Sequence, residues 1–473
     1  MGKPDYNYTL PSGFSEFLPR EKRLENHLLN TFREVFERYG FTPIETPAVE
    51  RLEVLQAKGN QGDNIIYSIN PLVPTRDKET SSESESEDRA LKFDQTVPLA
   101  AYIARHLNDL TFPFARYQMD MVFRGERSKK GRYRQFRQCD IDVVGREKLS
   151  LLYDAQMPAI INEIFSKLEI GEFVIRVSNR KVLTGLFRSK GLPSKQIKSC
   201  IKIIDTLDKI GPQKVRKALV ADGISETEAD TIMTLVKTQG KPEDILSKLE
   251  YNLTEGQDNE GLEQGIKELK EVVKFMQLLE VPDERVSIDL SVARGLDYYT
   301  GTVYETNLIG HEALGSICSG GRYEDLVGMF VGKAMPGVGL SIGLTRLLRC
   351  LLDERLLSPL SSSPAEVMVI NMQEDLMPTY LQLSQKLRSA GVNVYTGFTR
   401  QAMGKQLKQA DKLGIPFCLI LGPDEQATGT CRLKNLETGK EINIRQDELT
   451  KEVKEQLGSS RRSMTSKPSA SRK

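Results

Sequence analysis

Between Met119 and Gly145 the chain reads MDMVFRGERSKKGRYRQFRQCDIDVVG, two runs of alternating polarity on either side of a basic, glycine-containing tip. Before the tip, Met119, Met121 and Phe123 alternate with Asp120 and Arg124, interrupted only by the apolar Val122. After it, Cys139, Ile141 and Val143 alternate with Gln138, Asp140 and Asp142. Period two sends successive side chains to opposite faces of an extended strand. Two such runs joined through a loop containing Gly131 predict an antiparallel hairpin. Gln138, Asp140 and Asp142 then share one face, with Cys139, Ile141 and Val143 on the other. The arginines around the tip suit an anion, because a planar guanidinium offers a forked and permanently charged donor. A solvated charge run on a surface hairpin is the competing reading.

Whole-chain charge does not decide between them. Lys+Arg 66 against Asp+Glu 65 leaves a formal charge of +1, so any polyanion site must be local. At 473 residues the chain is long enough for roughly three domains, each with its own core. Cys139, Cys200, Cys318, Cys350, Cys418 and Cys431 are scattered without a C-x-x-C spacing, which argues against a zinc site or disulfide framework. The N-terminal MGKPDYNYTL lacks an apolar signal core, and no apolar run is long enough to span a bilayer. A cytoplasmic location is expected.

Along the chain, residues 22–39 place Leu24, Leu28, Leu29, Phe32, Val35 and Phe36 at helical spacing. The run GFTPIETPAVE that follows reads as extended, and ETSSESESED at 79–88 as an acidic loop. Residues 186–275 change texture to short amphipathic helices without a catalytic constellation, as in an inserted module. Strand-like patterning returns at 286–308, and SPLSSSP at 358–364 reads as a linker. EVMVIN, VNVYTGF and FCLILG alternate with helices beyond it, the signature of a small α/β domain. The final SSRRSMTSKPSASRK, basic and without acids, reads as a disordered tail.

The motifs exclude several chemistries. There is no G-x-x-x-x-G-K-[ST]. Gly337, Gly339 and Gly343 are spaced one residue too long for G-x-G-x-x-G, so close packing where a strand enters a helix explains them better. The three histidines, His27, His106 and His311, fall in no H-E-x-x-H pattern, which disfavours a zincin or a His-based triad. Arginines instead recur at 124–137, 294 and 346, among tyrosines and carboxylates. Brought together they would hold a nucleotide phosphate beside a small polar ligand.

FRGERSKKGRYRQFRQCDIDVVG resembles the second signature motif of class II aminoacyl-tRNA synthetases in its histidyl form. ARGLDYYTGTVYE and SGGRYEDL resemble the two histidine-specific motifs of the histidyl-tRNA synthetase family. YGFTPIETPAVE resembles the first class motif and GVGLSIGLTRL the third, and the likeness runs from about residue 8 to 450. The resemblance implies an α+β fold: an antiparallel-sheet catalytic domain, a helical insertion and a C-terminal α/β anticodon-binding domain. The boundaries expected are a catalytic core in two parts, 1–185 and 276–357, an insertion at 186–275, the linker at 358–364, an anticodon domain at 365–458 and the tail at 459–473. The first motif implies a homodimer.

The same resemblance assigns roles. Arg124 would hold the α-phosphate of ATP and the substrate carboxylate. Glu126 and Arg132 would address the adenine and outer phosphates, Phe136 would stack on adenine, and Arg346 would flank the triphosphate. Asp94, Thr96 and Gln138 match residues binding the α-amino group of histidine. Asp142 and Tyr299 match those reading the imidazole, with Tyr298 and Tyr323 lining the pocket, and Arg294 matches the histidine-specific catalytic arginine. Mg2+ would accompany ATP, its protein ligands unassigned. The implied reaction is activation of L-histidine to histidyl-adenylate and transfer to the 3′ end of tRNA(His). A catalytically silent relative, the synthetase-like regulatory subunit of ATP phosphoribosyltransferase in histidine biosynthesis, is the alternative. Two departures stand out: Lys129 replaces a glutamine that contacts the extra 5′ guanosine in many relatives, and Asp94 and Asp142 replace glutamates of some bacterial ones.

Overall fold

The computed structural model describes residues 8–57, 65–70, 88–127, 131–189, 191–251, 260–293, 299–358 and 360–465. The chain divides into two compact units. One is Glu25–Ser358 with the segment ending at Glu16; the other is the chain from Pro359 onward with Phe17–Leu24.

In chain order the first unit contributes β1 (Thr42–Pro43), β2 (Val49–Arg51), β3 (Ser68–Ile69), β4 (Arg89–Leu91), β5 (Phe114–Phe123) and β6 (Gln135–Val144). β7 (Phe173–Asn179), β8 (Gln239–Gly240), β9 (Val286–Asp289), β10 (Tyr299–Leu308), β11 (Cys318–Tyr323) and β12 (Gly337–Gly343) follow. Among the described residues, one sheet runs β1-β5-β6-β12-β11-β10-β7-β9-β8. It is antiparallel except at β1/β5 and β7/β9. β2, β4 and β3 form a small antiparallel sheet of their own.

The expected hairpin is β5–β6, in register from Phe123 opposite Gln135 to Phe114 opposite Val144. Gly131 at its tip has φ +76, a left-handed conformation that glycine adopts without steric cost. The helix Pro19–Arg38 covers all but the last residue of the expected 22–39 segment and buries Leu28, Phe32, Val35 and Phe36 completely. Tyr117 of β5 donates its hydroxyl to Glu37 at the end of that helix, 2.8 Å away. Burying four such side chains contributes roughly 1.5–3 kcal/mol each.

Between β7 and β9 the chain makes helices from Arg180–Ser189 through Glu260–Leu278, interrupted by the two-residue β8. One of them, Glu226–Val236, starts with a capping box between Ser225 and Glu228, which satisfies two backbone donors at once. Arg176 of β7 fastens this helical region to the sheet, reaching Asp289 at 2.7 Å, Asp208 at 2.9 Å and Glu305 at 3.5 Å.

The second unit has β13 (Val367–Val369), β14 (Val394–Thr396), β15 (Phe417–Ile420), β16 (Thr430–Asn435) and β17 (Glu441–Arg445), ordered β14-β13-β15-β16-β17. The first three pair in parallel, as alternation with helices requires, and the last two return antiparallel. Both faces are covered. Val367, Val369, Leu383, Leu387, Leu449 and Val453 pack on one side, and Met368, Ile370, Ala410 and Cys418 on the other. The final helix, Leu449–Thr465, runs past 458 into the basic segment. The acidic loop at 79–88 lies outside the described residues except for Asp88, as do 466–473.

Candidate active site

Register places a ladder of polar side chains along one face of the hairpin. Arg116 stands opposite Asp142, Gln118 opposite Asp140 and Asp120 opposite Gln138. All six are even-numbered, so the pleat turns them to one face. On the other side of β6, β12 sets Gly339 opposite Asp142, Ser341 opposite Asp140 and Gly343 opposite Gln138. The small residues make room. A methyl on Gly339 would stand 2.0 Å from Asp142 Oδ1, and one on Gly337 2.3 Å from the Tyr323 ring. The glycines of this strand therefore accommodate polar side chains lying over the sheet, which gives their close packing a specific cause.

Asp142 is buried between two partners. Arg116 Nη2 lies 2.6 Å from its Oδ2, and Tyr323 donates its hydroxyl to Oδ1 at 2.9 Å. Burial pushes the Asp142 carboxyl up to about 6, against the opposing pull of Arg116 and the Tyr323 hydrogen bond. Burial and the neighbouring Asp142 charge keep the Tyr323 phenol well above its ordinary range, so it serves as a donor. Asp140, next on the ladder, is pushed up to about 7, chiefly by burial. Its Oδ1 has no hydrogen-bond partner among the described residues.

The loop before the helix Thr96–Arg105 supplies the other end of the site. Asp94 Oδ1 accepts from the Val97 N–H at 3.2 Å, so the carboxylate caps the helix and is held in place by it. Thr96 is the first residue of that helix. Gln95 ties the loop to the hairpin, donating to the carbonyls of Asp120 at 3.2 Å and Gln138 at 3.0 Å. Gln138 donates to Ser341 Oγ at 2.9 Å, leaving its Oε1 without a partner among the described residues. Buried Lys92 meets Asp120 at 2.5 Å and the Thr46 carbonyl at 2.9 Å. Burial opposes ionisation of Asp120, but the Lys92 hydrogen bond and charge outweigh it and hold the carboxyl low.

At the hairpin tip, Arg124 Nε donates to the Phe93 carbonyl at 3.0 Å and its guanidinium lies 5.1 Å over the Phe136 ring. One face of that aromatic ring is thus already covered by a cation. Glu126 and Arg132 pair at 3.4 Å. Arg346, in the helix Leu344–Asp353, donates Nη2 to the Leu314 carbonyl, and a methyl on Gly131 would stand 4.0 Å from its Nε. Tyr299 opens β10 opposite Tyr323, and its Cδ1 would stand 2.9 Å from a methyl on Gly321. Arg294, Tyr298 and Lys129 lie outside the described residues.

The structure thus draws Asp94, Gln138, Asp142, Tyr299 and Tyr323 around one sheet face, with Thr96 opening the helix that Asp94 precedes and with Arg124, Glu126, Arg132, Phe136 and Arg346 about the tip. Sequence reading passed over Arg116 and gave Asp140 no role. The signal was available: Arg116, Gln118 and Asp120 carry the same period-two polar stripe on β5 that Gln138, Asp140 and Asp142 carry on β6.

Asp140 has a thermodynamic consequence. A carboxyl raised from 3.8 unfolded to about 7 folded prefers its neutral form in the native protein. Its contribution to stability is full below about pH 4 and is lost as pH rises through about 7. Asp140→Asn is therefore expected to melt higher than the parent at pH 8, by a gain on the order of 1–4 kcal/mol that shrinks as pH falls and is nearly gone at about pH 3.5. Melting curves at the two pH values check this; an equal change at both would remove titration as the cause.

A family profile described as Histidyl-tRNA synthetase matches residues 13–347, and one described as Anticodon binding domain matches residues 366–456. The Histidine--tRNA ligase of Nostoc sp. (strain PCC 7120 / SAG 25.82 / UTEX 2576) is 61% identical over 461 residues, spanning 97% of this chain and 100% of that one. The Histidine--tRNA ligase of Stenotrophomonas maltophilia (strain K279a) is 40% identical, across 95% and 98% of the two chains. The crystal structure of histidyl-tRNA synthetase from Nostoc sp. PCC 7120 superimposes with a TM-score of 0.87 at 59% identity, covering 96% of this chain and 100% of that one. An ATP phosphoribosyltransferase regulatory subunit/histidyl-tRNA synthetase from Bacillus halodurans shares the fold at a TM-score of 0.68 but only 17% identity, over 86% and 97% of the chains. With a profile match over most of its length and full-length relatives at this identity, the chain belongs to the histidyl-tRNA synthetase family.

Proposed function

We propose that this chain activates L-histidine with ATP to histidyl-adenylate, releasing pyrophosphate, and transfers the histidyl group to the 3′ end of tRNA(His). The observation that carries the reading is the Asp142–Tyr323 pair, set on the same polar ladder as Gln138 within a chain of this family. A carboxylate at one end of the ladder accepts an imidazole N–H. At the other, Gln138 Oε1, Asp94 and Thr96 supply acceptors for an ammonium group. That spacing orients the substrate carboxylate toward Arg124, whose guanidinium neutralises charge on the α-phosphate as the carboxylate oxygen attacks phosphorus and pyrophosphate leaves. Arg294 completes this charge stabilisation, with Arg132 and Arg346 on the outer phosphates and Glu126 and Phe136 on the adenine. Tyr299 reads the imidazole together with Asp142, and Tyr298 and Tyr323 line the pocket.

Mg2+ fits as a passenger of the nucleotide. No group of three or more His, Cys, Asp or Glu able to hold a metal exists among the described residues, and Mg2+ commonly binds through phosphates with one or two carboxylates. The proposed working form is a cytoplasmic homodimer, the first class motif being the feature that points to the dimer. No helix among the described residues is long and apolar enough to cross a membrane. We assign 1–185 and 276–357 to the catalytic core, 186–275 to the insertion, 365–458 to anticodon binding and 459–473 to a basic tail.

The regulatory-subunit alternative is disfavoured, because the relatives with high full-length identity are ligases. Pyrophosphate exchange with each amino acid in turn tests the proposal. Exchange with histidine alone supports it, and exchange with none sinks it.

The C-terminal unit presents a cleft of about 410 Å³ lined by Met372, Arg400, Gln401, Ala402 and Met403. Close to it in sequence, Phe398 is 70% exposed. An exposed aromatic with a cation suits unpaired bases, where stacking is worth about 1–3 kcal/mol per base. Phe398→Ala combined with Arg400→Ala is expected to raise the KM for tRNA about tenfold or more while leaving pyrophosphate exchange unchanged. A loss of exchange in step with charging would remove the anticodon assignment.

A further inference from the structure

Asp140 and Asp142 of the polar ladder share one guanidinium, that of Arg116, and Asp94 of the neighbouring loop lies within electrostatic reach of both carboxylates. Each of these carboxylates acts electrostatically on another, and Arg116 acts on both Asp140 and Asp142. The other buried cation nearby, Lys92, is taken by Asp120 and the Thr46 carbonyl. Arg116 is completely buried, yet it is poorly used as a structural tie. Its Nη1 reaches the Asp140 carbonyl only at 3.5 Å, its Nε has no hydrogen-bond partner among the described residues, and its Nη2 meets Asp142 Oδ2 at 2.6 Å as an ion pair without hydrogen-bond alignment. Arg322 offers the contrast within the same sheet. It forks onto both oxygens of buried Asp154 and adds the Ser150 carbonyl at 3.0 Å, which is how a guanidinium fastens two elements together. Arg116 spends its one close contact on Asp142.

We infer that Arg116 is a positioning residue for histidine selection: its guanidinium, seated on Asp142 Oδ2, holds that carboxylate ionised and oriented to accept the substrate's ring N–H. The inference rests on the reading that Asp142 receives the imidazole. Oδ2 is anchored by Arg116 and Oδ1 by Tyr323, so the carboxylate plane is fixed from two strands, β5 and β11. Each carboxylate oxygen has lone pairs for more than one donor, so a third partner can be accepted without releasing these two. The charged and titratable groups facing Asp142 are Arg116 from β5, Tyr323 from β11, Asp140 on its own strand and Asp94 from the loop before the helix Thr96–Arg105. Tyr299 stands beside Tyr323. Of these only Arg116 is a cation, so only its removal leaves the carboxylates with uncompensated charge.

The test uses the full-length enzyme, with Arg116→Met and Arg116→Lys, in pyrophosphate exchange as a function of pH. The probe is a triazolyl analogue of histidine, which keeps a ring N–H but takes up no proton between pH 5 and 8. Without Arg116 the Asp142 carboxyl ionises at higher pH. The acid limb of kcat/KM for the analogue should move up by at least about one pH unit in Arg116→Met, a loss of about twofold at pH 7 that grows to about tenfold at pH 5. Arg116→Lys, retaining charge without the fork, should fall between parent and Met variant. The KM for ATP should stay within about twofold. If Arg116→Met does not fold, the displacement of the limb in Arg116→Lys decides the matter. An unmoved limb, or KM values for both substrates rising together with a lowered melting temperature, overturns the inference. Asp142→Asn separates the two levels. If it leaves the KM for histidine unchanged, the underlying reading fails. If it raises that KM while the Arg116 variants do not, only the role of Arg116 fails.

Discussion

Replacing Arg124 with alanine is expected to slow histidyl-adenylate formation by about 10²–10³-fold, the loss that accompanies removal of one preorganised donor at a centre of developing charge. Arg124 Nε is committed to the Phe93 carbonyl and the guanidinium plane is steadied over Phe136. Both contacts orient the two terminal nitrogens before any nucleotide arrives, so no reorganisation is required as charge builds. The side chain is only half-buried, so its removal forfeits about one hydrogen bond and one cation–π contact. That is roughly 1–2 kcal/mol of stability, far less than the catalytic loss. Arg124→Lys keeps the charge but cannot donate from Nε and grip phosphate at once, so it should recover little of the rate. Single-turnover adenylate formation at saturating ATP and histidine measures the step directly. A folded Arg124→Ala enzyme within about fivefold of the parent would exclude contact with the reacting phosphate.

The parts of this architecture that sequence made visible are those in which one period persists for several residues. The hairpin qualifies, because ten-residue strands on both sides give alternation room to appear. The helix Pro19–Arg38 qualifies through its apolar stripe, and the C-terminal strands through apolar runs spaced by helices. β1, β3 and β8 have two residues each and leave no period to read. They exist because backbone groups beside longer strands need partners. The β16–β17 hairpin escaped for a different reason: Arg432 and Lys434 alternate with Cys431 and Leu433 over too few residues to stand out from a charged loop.

In the site, composition and spacing suggested an anion-binding arginine cluster and a carboxylate-bearing face. Individual roles came from family resemblance. Arg116 was missed because an arginine in sequence reads as surface. Its burial is possible only with acids supplied by a neighbouring strand, and that register is a tertiary fact. Asp140 was passed over for the same reason, since neither its unpartnered oxygen nor its raised pKa exists outside the fold.

Asp142→Asn is expected to lower kcat/KM for histidine by at least about 10²-fold and to narrow discrimination against an apolar analogue of similar shape. A buried group that hydrogen-bonds a substrate N–H rejects analogues lacking it strongly, because its own polarity is then left unmatched. The amide is nearly isosteric but supplies an NH2 on one side, which must face either the Arg116 guanidinium or the Tyr323 hydroxyl. One anchor is lost and the acceptor is turned away from the ring. The alternative is that Asp142 only balances the charge of Arg116. In that case the Asn variant would leave a buried cation unpaired, costing about 3–5 kcal/mol of stability. Melting temperature, ATP binding and histidine binding would then fall together while the ratio of histidine to analogue stayed constant. The pH profile separates the two independently. In the parent, kcat/KM for a non-titrating triazolyl analogue should rise as pH passes through about 6, where Asp142 ionises, and level off above. The direction follows from the chemistry, since a neutral carboxyl has lost the charge that makes it a strong acceptor. In Asp142→Asn that limb should be absent and the profile flat at a low value. A limb that persists unchanged in the variant would assign the titration, and with it the reading of the ring, to another group.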